Sequence, residues 1–135
     1  MTDLKIFLAD DDEDDRQFLK DSFACFIPSL EIVEALDGQD LIDHLNHQPD
    51  WNQLSLILVD MNMPRKNGLE VLSYIKANPM YQDNPVLMIS TTNDTELIKE
   101  AYQLGAECFI AKPSRISEYD SIVQKIKIKF IDKHW

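Results

Sequence analysis

Four short stretches of the sequence carry side chains that could do chemistry together. Asp10, Asp11 and Asp12 follow the apolar run 6–9, and Asp60 follows the run 54–59. Ser90 and Thr91 follow residues 86–89, and Lys112-Pro113 follows residues 108–111. Three or more carboxylates within a few ångströms raise one another's pKa and cannot all stay ionised cheaply. A divalent cation resolves that conflict, and an all-oxygen ligand set favours the hard ions Mg²⁺, Mn²⁺ or Ca²⁺. Few protein ligands with positions left for water suit Mg²⁺ best, because it dehydrates reluctantly and commonly serves a phosphate. The Lys112 ammonium and the Ser90 hydroxyl supply a point charge and a hydrogen-bond donor for a phosphoryl group. Asp60, closing the most apolar run, is the carboxylate best placed to act as a nucleophile. The chemistry these residue types point to is phosphoryl transfer onto a carboxylate, which needs positioning and charge neutralisation more than covalent participation.

Such a pocket exists only if all four stretches end at one edge of one sheet. Short apolar runs alternate along the chain with longer amphipathic ones. The runs 6–9, 30–33, 54–59, 85–89 and 108–111 read as strands, nearly continuous in apolar character, as strands buried on both faces do. Between them, Phe18, Leu19, Phe23 and Phe26 mark a helix stopped near Pro28. Leu41, Ile42 and Leu45 mark a second after Asp37-Gly38, and Leu69, Val71, Leu72 and Ile75 a third ending before Pro79. Leu97, Ile98, Ala101 and Leu104 mark a fourth, with Asn93 or Thr92 as cap and Gly105 as stop. About five βα units predict an α/β fold with a doubly wound, five-stranded parallel sheet and helices on both faces. In that architecture ligands bind at the carboxyl ends of the strands, beside the point where strand order reverses.

Composition bounds the alternatives. The chain has 135 residues and a net charge of −11, with 44% hydrophobic and 27% charged residues, an ordinary globular mix of about one domain. No apolar run reaches the ~18 residues of a membrane span, and residues 1–5 lack a signal-peptide layout, so a cytoplasmic location is expected. The acidic balance argues against nucleic acid and anionic membranes as partners. Cys25 and Cys108 stand in apolar settings without zinc-ligand spacing and form no disulfide scaffold.

The segments IFLADDDEDDR (6–16), LVDMNMP (58–64), NGLE (67–70), MIST (88–91) and KP (112–113), in this order, resemble the receiver domain of two-component response regulators. The likeness runs from about Lys5 into the last helix and implies a flavodoxin-like fold. Residues 90–93, the Gly105-Ala106 turn and the Trp135 ending are similar to stand-alone regulators that work with bacterial phytochromes. The resemblance implies that Asp60 accepts a phosphoryl group from a phosphohistidine on a sensor histidine kinase or phosphotransfer protein. It implies that Asp10, Asp11, Asp60 and the Asn62 backbone carbonyl hold Mg²⁺. Ser90 would bond the phosphoryl oxygen and, with Phe109, act as the conformational switch. Lys112 would pair with the phosphoryl group, oriented by a cis bond to Pro113. Asp11-Asp12 is an alternative metal pair; aligning Arg16 with the family's usual Arg favours Asp10-Asp11, leaving Asp14 and Asp15 to the helix. Phe109 also reads simply as a core aromatic. Thr91, where Ala or Gly is frequent, would hinder water at the acyl phosphate. With the receiver fold filling residues 1–135, no output domain is expected, and output would run through protein contacts or onward phosphotransfer.

In the last helix, Ile116, Tyr119, Ile122, Val123, Ile126 and Phe130 form an inward stripe at ~100° per residue, and Ile128, Ile131 and Trp135 fall opposite. With Ile98 and Tyr102 on the preceding helix, they suggest a homodimer through the last two helices and the strand between; a frayed terminus explains the same residues. Two rival functions remain. A degenerate receiver acting only as an interaction module is disfavoured by intact Asp60 and Lys112. An aspartyl-nucleophile phosphohydrolase would want an acid two residues after the nucleophile, where this sequence has Asn62.

Overall fold

The computed structural model describes residues 4–47 and 54–132. Its elements alternate: β1 (Leu4–Ala9), α1 (Glu13–Phe26), β2 (Glu31–Ala35), α2 (Gly38–Asn46), β3 (Leu54–Asp60), α3 (Gly68–Ala77), β4 (Val86–Ser90), α4 (Thr95–Gln103), β5 (Cys108–Ala111) and α5 (Glu118–Ile126). The strands form one parallel sheet in the order β2-β1-β3-β4-β5, so the order reverses between β1 and β3. No described helix is long and apolar enough to cross a membrane.

The period-2 geometry of a strand divides the core into two layers. Phe7, Ala9, Ile57, Val59, Val86 and Met88 face one side, where α2, α3 and α4 cover them with Leu41, Leu45, Val71, Leu72, Ile75 and Ala101. Ile6, Leu8, Leu56, Leu58, Leu87 and Ile89 face the other, against Leu19 and Phe23 of α1 and Tyr119, Val123 and Ile126 of α5. Both faces are apolar because both are covered, which is why the strands read as unbroken apolar runs.

Helix starts are fixed by short polar side chains that accept the otherwise unpaired N–H groups of the first turn. Asp12 accepts from the Asp15 N–H at 3.1 Å and Asp37 from the Asp40 N–H at 2.8 Å. Asn67 accepts from the Glu70 N–H at 2.9 Å, while the Glu70 carboxylate accepts from the Asn67 N–H at 3.0 Å, a reciprocal capping box. Helix α4 is capped by Asp94, not by Asn93 or Thr92; the Asp94 carboxylate reaches the Glu96 and Leu97 N–H groups at 2.9 and 3.4 Å. Gly105 ends that helix with φ +110°, a conformation that costs glycine nothing.

The last helix departs from the expected stripe at both ends. It begins at Glu118, so Ile116 lies in the preceding turn and is 63% exposed. One π-helical turn, Lys127–Ile131, continues it. The i→i+5 bonding of that turn adds a residue to the repeat. Ile131 therefore follows Ile126 into the core and is 3% exposed, instead of lying opposite. Of the residues expected on a dimer face, Tyr102 and Ile128 are exposed, Ile98 is half-buried, Ile131 is buried, and Trp135 lies outside the described residues. Cys25 is exposed on α1 and Cys108 is half-buried; both are free thiols.

Candidate functional site

Strand register carries the chemistry to one edge. Asp60 ends β3 and Ser90 ends β4, while Asp10 follows β1 and Lys112 follows β5. Backbone bonds extend the ladder past the strand ends: the Asp10 N–H donates to the Ala35 carbonyl at 3.2 Å and the Lys112 N–H to the Ser90 carbonyl at 2.8 Å. Asp10, Asp60 and Ser90 are all buried.

Asp10, Asp11 and Asp60 each bring a carboxylate oxygen within 4.8 Å of the others. Asp12 is occupied as the cap of α1, and its own N–H donates to Asp10 Oδ1 at 2.9 Å. The geometry therefore groups Asp10-Asp11, rather than Asp11-Asp12, with Asp60. Asp10 Oδ2 is buried and accepts no hydrogen bond, although Lys112 Nζ stands 3.0 Å away as an ion-pair partner. An under-satisfied buried oxygen within a set of three hard oxygen donors fits a divalent cation. Arg16, at the start of α1, donates to the Asp10 carbonyl at 2.7 Å and to Glu34 at 3.2 Å, fixing the loop that bears the acids.

Lys112 Nζ donates to Asp60 Oδ2 at 3.2 Å and to Asp15 Oδ2 at 2.8 Å. Burial works to lower its pKa, but the hydrogen bond to Asp15, the close Asp10 carboxylate and the charge of Asp60 outweigh it, so the ammonium is held above its ordinary range. Asp60 moves the other way. Burial first, and the Asp10 charge second, raise its carboxyl to about 6 against the opposing pull of Lys112. Its Oδ1 also accepts from the Asn62 N–H, at a long 3.4 Å. Ser90 Oγ accepts from the Thr92 N–H at 3.1 Å. Phe109 pairs with Met88 in the β4–β5 register, on the same sheet face as Ser90, half-buried against the α3–α4 layer. Its N–H donates to the Tyr102 hydroxyl at 3.0 Å.

Two expectations are corrected here. No peptide bond among the described residues is cis, so Lys112–Pro113 is trans, the form an X–Pro bond prefers by about 0.5–1 kcal/mol. The Lys112 N–H bond to Ser90 and the convergence of carboxylates on Nζ orient the side chain without a cis turn. Asp15 stands on α1 as expected, but it is not left to the helix alone, for it enters the pocket, pairs with Lys112 and accepts from the Tyr119 hydroxyl at 3.1 Å. Its spacing held the signal: three residues after the Asp12 cap, a side chain on the first turn leans back toward the strand ends.

The loop after Asp60 is pressed against α2. Arg65 takes φ +66°, unusual without glycine, and its guanidinium reaches Asp37 at 2.9 Å. A Cβ on Gly38 would stand 2.0 Å from the Lys66 carbonyl oxygen, so that approach requires glycine.

Comparison with known proteins agrees with this geometry. The family model of the response regulator receiver domain matches residues 6–125. Response regulator Rcp1 of Synechocystis sp. is 27% identical over 125 residues, covering 90% of this chain and 85% of its own. A probable chemotaxis protein CheY of Rhizobium etli is 26% identical over 123 residues, 91% of this chain and 92% of that protein. Among solved structures, the phosphorylated cyanobacterial phytochrome response regulator RcpA superposes with a TM-score of 0.87 at 30% identity, covering 98% of this chain and 96% of that one. The Mn²⁺-bound form of Rcp1 gives 0.82 at 25% identity, covering 96% and 95%. The chain belongs to the response regulator receiver domain family, the phosphoacceptor domains of two-component signalling.

Proposed function

We propose that Asp60 is the phosphoacceptor, taking a phosphoryl group from a phosphohistidine on a sensor histidine kinase or phosphotransfer protein. One observation carries this assignment. The Asp60 carboxylate, in a residue 4% exposed, is the point where Lys112 and the Asp10-Asp11 pair converge. An Asp60 oxygen attacks phosphorus, the N–P bond to the imidazole breaks, and an acyl phosphate forms. Asp10, Asp11, Asp60 and the Asn62 backbone carbonyl would hold Mg²⁺, with Mn²⁺ or Ca²⁺ as substitutes. Bound there, the cation would neutralise charge on the transferring group. Lys112 pairs with the developing phosphoryl oxygens. Ser90 Oγ turns from accepting the Thr92 N–H to donating to a phosphoryl oxygen, and Phe109, on the same sheet face, follows that movement.

In this reading the chain is a cytoplasmic signalling domain whose own chemistry is limited to self-phosphotransfer and autodephosphorylation. A homodimer through α4, β5 and α5 would use Ile98, Tyr102 and Ile128, and light scattering with and without phosphodonor tests it by mass. The main assignment is tested with acetyl phosphate and Mg²⁺. Wild type should gain one phosphoryl group and Asp60→Ala none, whereas equal labelling of both contradicts it.

A further inference from the structure

Lys112 has more anionic partners than one ammonium can serve once Asp60 carries a phosphoryl group. Its Nζ donates to Asp15 Oδ2 at 2.8 Å and Asp60 Oδ2 at 3.2 Å, and lies 3.0 Å from Asp10 Oδ2. Of the ammonium's three N–H donors, two are thus committed to carboxylates, while Asp10 Oδ2 faces Nζ as an ion pair only. Asp15 differs from the other two. It stands on α1, outside the Asp10–Asp11–Asp60 cluster, and its Oδ1 already accepts from the Tyr119 hydroxyl at 3.1 Å. Tyr119 is a buried residue of α5 whose ring lies 5.6 Å from that of Phe18 on α1, so packing fixes where the hydroxyl points. A separate hydrogen bond from Ser22 to Asp120 ties the same two helices independently of Lys112.

We propose that Asp15 is a positioning residue that holds Lys112 in the unphosphorylated protein and releases it when Asp60 is phosphorylated, the Tyr119 hydroxyl covering the carboxylate that Lys112 leaves. This inference rests on the assignment of Asp60 as phosphoacceptor. A phosphoryl group brings a net charge of roughly −1.5 to −2 and three acceptor oxygens. Moving toward it draws Lys112 away from its shortest present bond, the one to Asp15. Asp60 carries the new group, and Asp10 is its immediate neighbour in the acidic cluster. Asp15 is the partner whose release is cheapest, because a donor is already in place on its other oxygen; a part-buried carboxylate left with no donor costs more. The arrangement links the phosphorylation site to α5 through two hydrogen bonds, by a route separate from Ser90 and Phe109.

The two side chains should act with opposite sign. Asp15 competes with the phosphoryl group for Lys112, so Asp15→Asn favours the phosphorylated form. The Tyr119 hydroxyl stabilises the vacated Asp15, so Tyr119→Phe, which keeps the ring packing, disfavours that form. Beryllium fluoride with Mg²⁺, a stable phosphoryl mimic, is titrated by ¹⁹F NMR into wild type, both single variants and the double variant. Asp15→Asn is expected to tighten binding by up to roughly tenfold, and Tyr119→Phe to weaken it several-fold. In the Asp15→Asn background, Tyr119→Phe should have no further effect. The Tyr119 ring resonances of wild type should shift as the complex forms. Should Asp15→Asn fail to fold, Asp15→Glu, which keeps the charge on a longer arm, replaces it and should make Tyr119→Phe lose most of its effect. Effects of the same sign, an undiminished Tyr119→Phe effect without Asp15, or unmoved Tyr119 resonances while the complex forms would overturn the inference and leave the phosphoacceptor assignment standing. Absence of a fluoride complex at Asp60 in wild type would overturn both.

Discussion

Gly68 passes so close beneath Asp60 that a Cβ there would stand 2.6 Å from the Asp60 carbonyl oxygen and 2.8 Å from the Met61 Cα. The Gly68 N–H donates to the Met61 carbonyl at 2.9 Å, so the start of α3 is bonded to the segment that carries the phosphoacceptor. Alanine is intrinsically the better helix former by about 1 kcal/mol. Overpacking typically costs about 1–3 kcal/mol, and although the Met88 Cε, also 2.8 Å away, could shift, the Asp60 and Met61 neighbours are backbone that cannot rotate away. Gly68→Ala should therefore destabilise the protein in denaturant unfolding despite its higher helix propensity, and slow labelling by acetyl phosphate without touching a charged group.

Asp60 makes stability depend on pH in the metal-free protein. Its folded pKa, about 6, lies above its ordinary 3.8, so the folded state holds this proton more tightly than the unfolded one. Protonated Asp60 costs nothing below pH ~4; stability then declines as pH rises toward ~6 and levels off above. The full penalty is on the order of 3 kcal/mol. Urea unfolding across this range, in chelator, should show the decline in wild type and lose it in Asp60→Asn, which should be the more stable variant at neutral pH.

Asp11 and Asp12 should separate cleanly although they are adjacent. Asp12→Ala removes the α1 cap, worth about 1 kcal/mol, and should leave Mg²⁺ affinity nearly unchanged. Asp11→Ala removes a carboxylate of the acidic cluster without touching a cap, and should weaken Mg²⁺ binding at least tenfold at little cost in stability. Isothermal titration with Mg²⁺ and thermal unfolding of both variants check this; a larger Mg²⁺ loss in Asp12→Ala would reverse the assignment.

The sheet and its chemical edge were legible because both rest on strong local signals. Unbroken apolar runs such as 54–59 declare strands covered on two faces, and Asp10, Asp60, Ser90 and Lys112 each stand at the end of one. Asp15 was hidden by its neighbours: in an acidic stretch spanning 10–15, charge alone does not say which carboxylate leans toward the sheet. The stripe through Ile116 and the outward placing of Ile131 assumed an ideal α repeat. A late helix start and one π turn move both residues, and neither leaves a trace in hydrophobic period. The trans bond before Pro113 and the positive φ of Arg65 depend on tertiary packing, which no local spacing encodes.

The most direct measurement of the central claim traps the acyl phosphate where it forms. Protein phosphorylated with acetyl phosphate and Mg²⁺ is reduced with borohydride, which converts an aspartyl phosphate to homoserine, and the modified residue is located by peptide mass spectrometry. Homoserine at position 60, absent without Mg²⁺ and absent from Asp60→Ala, is the expected result. Homoserine at Asp10, Asp11 or Asp15 instead, or none in a preparation that has gained a phosphoryl group, would contradict it.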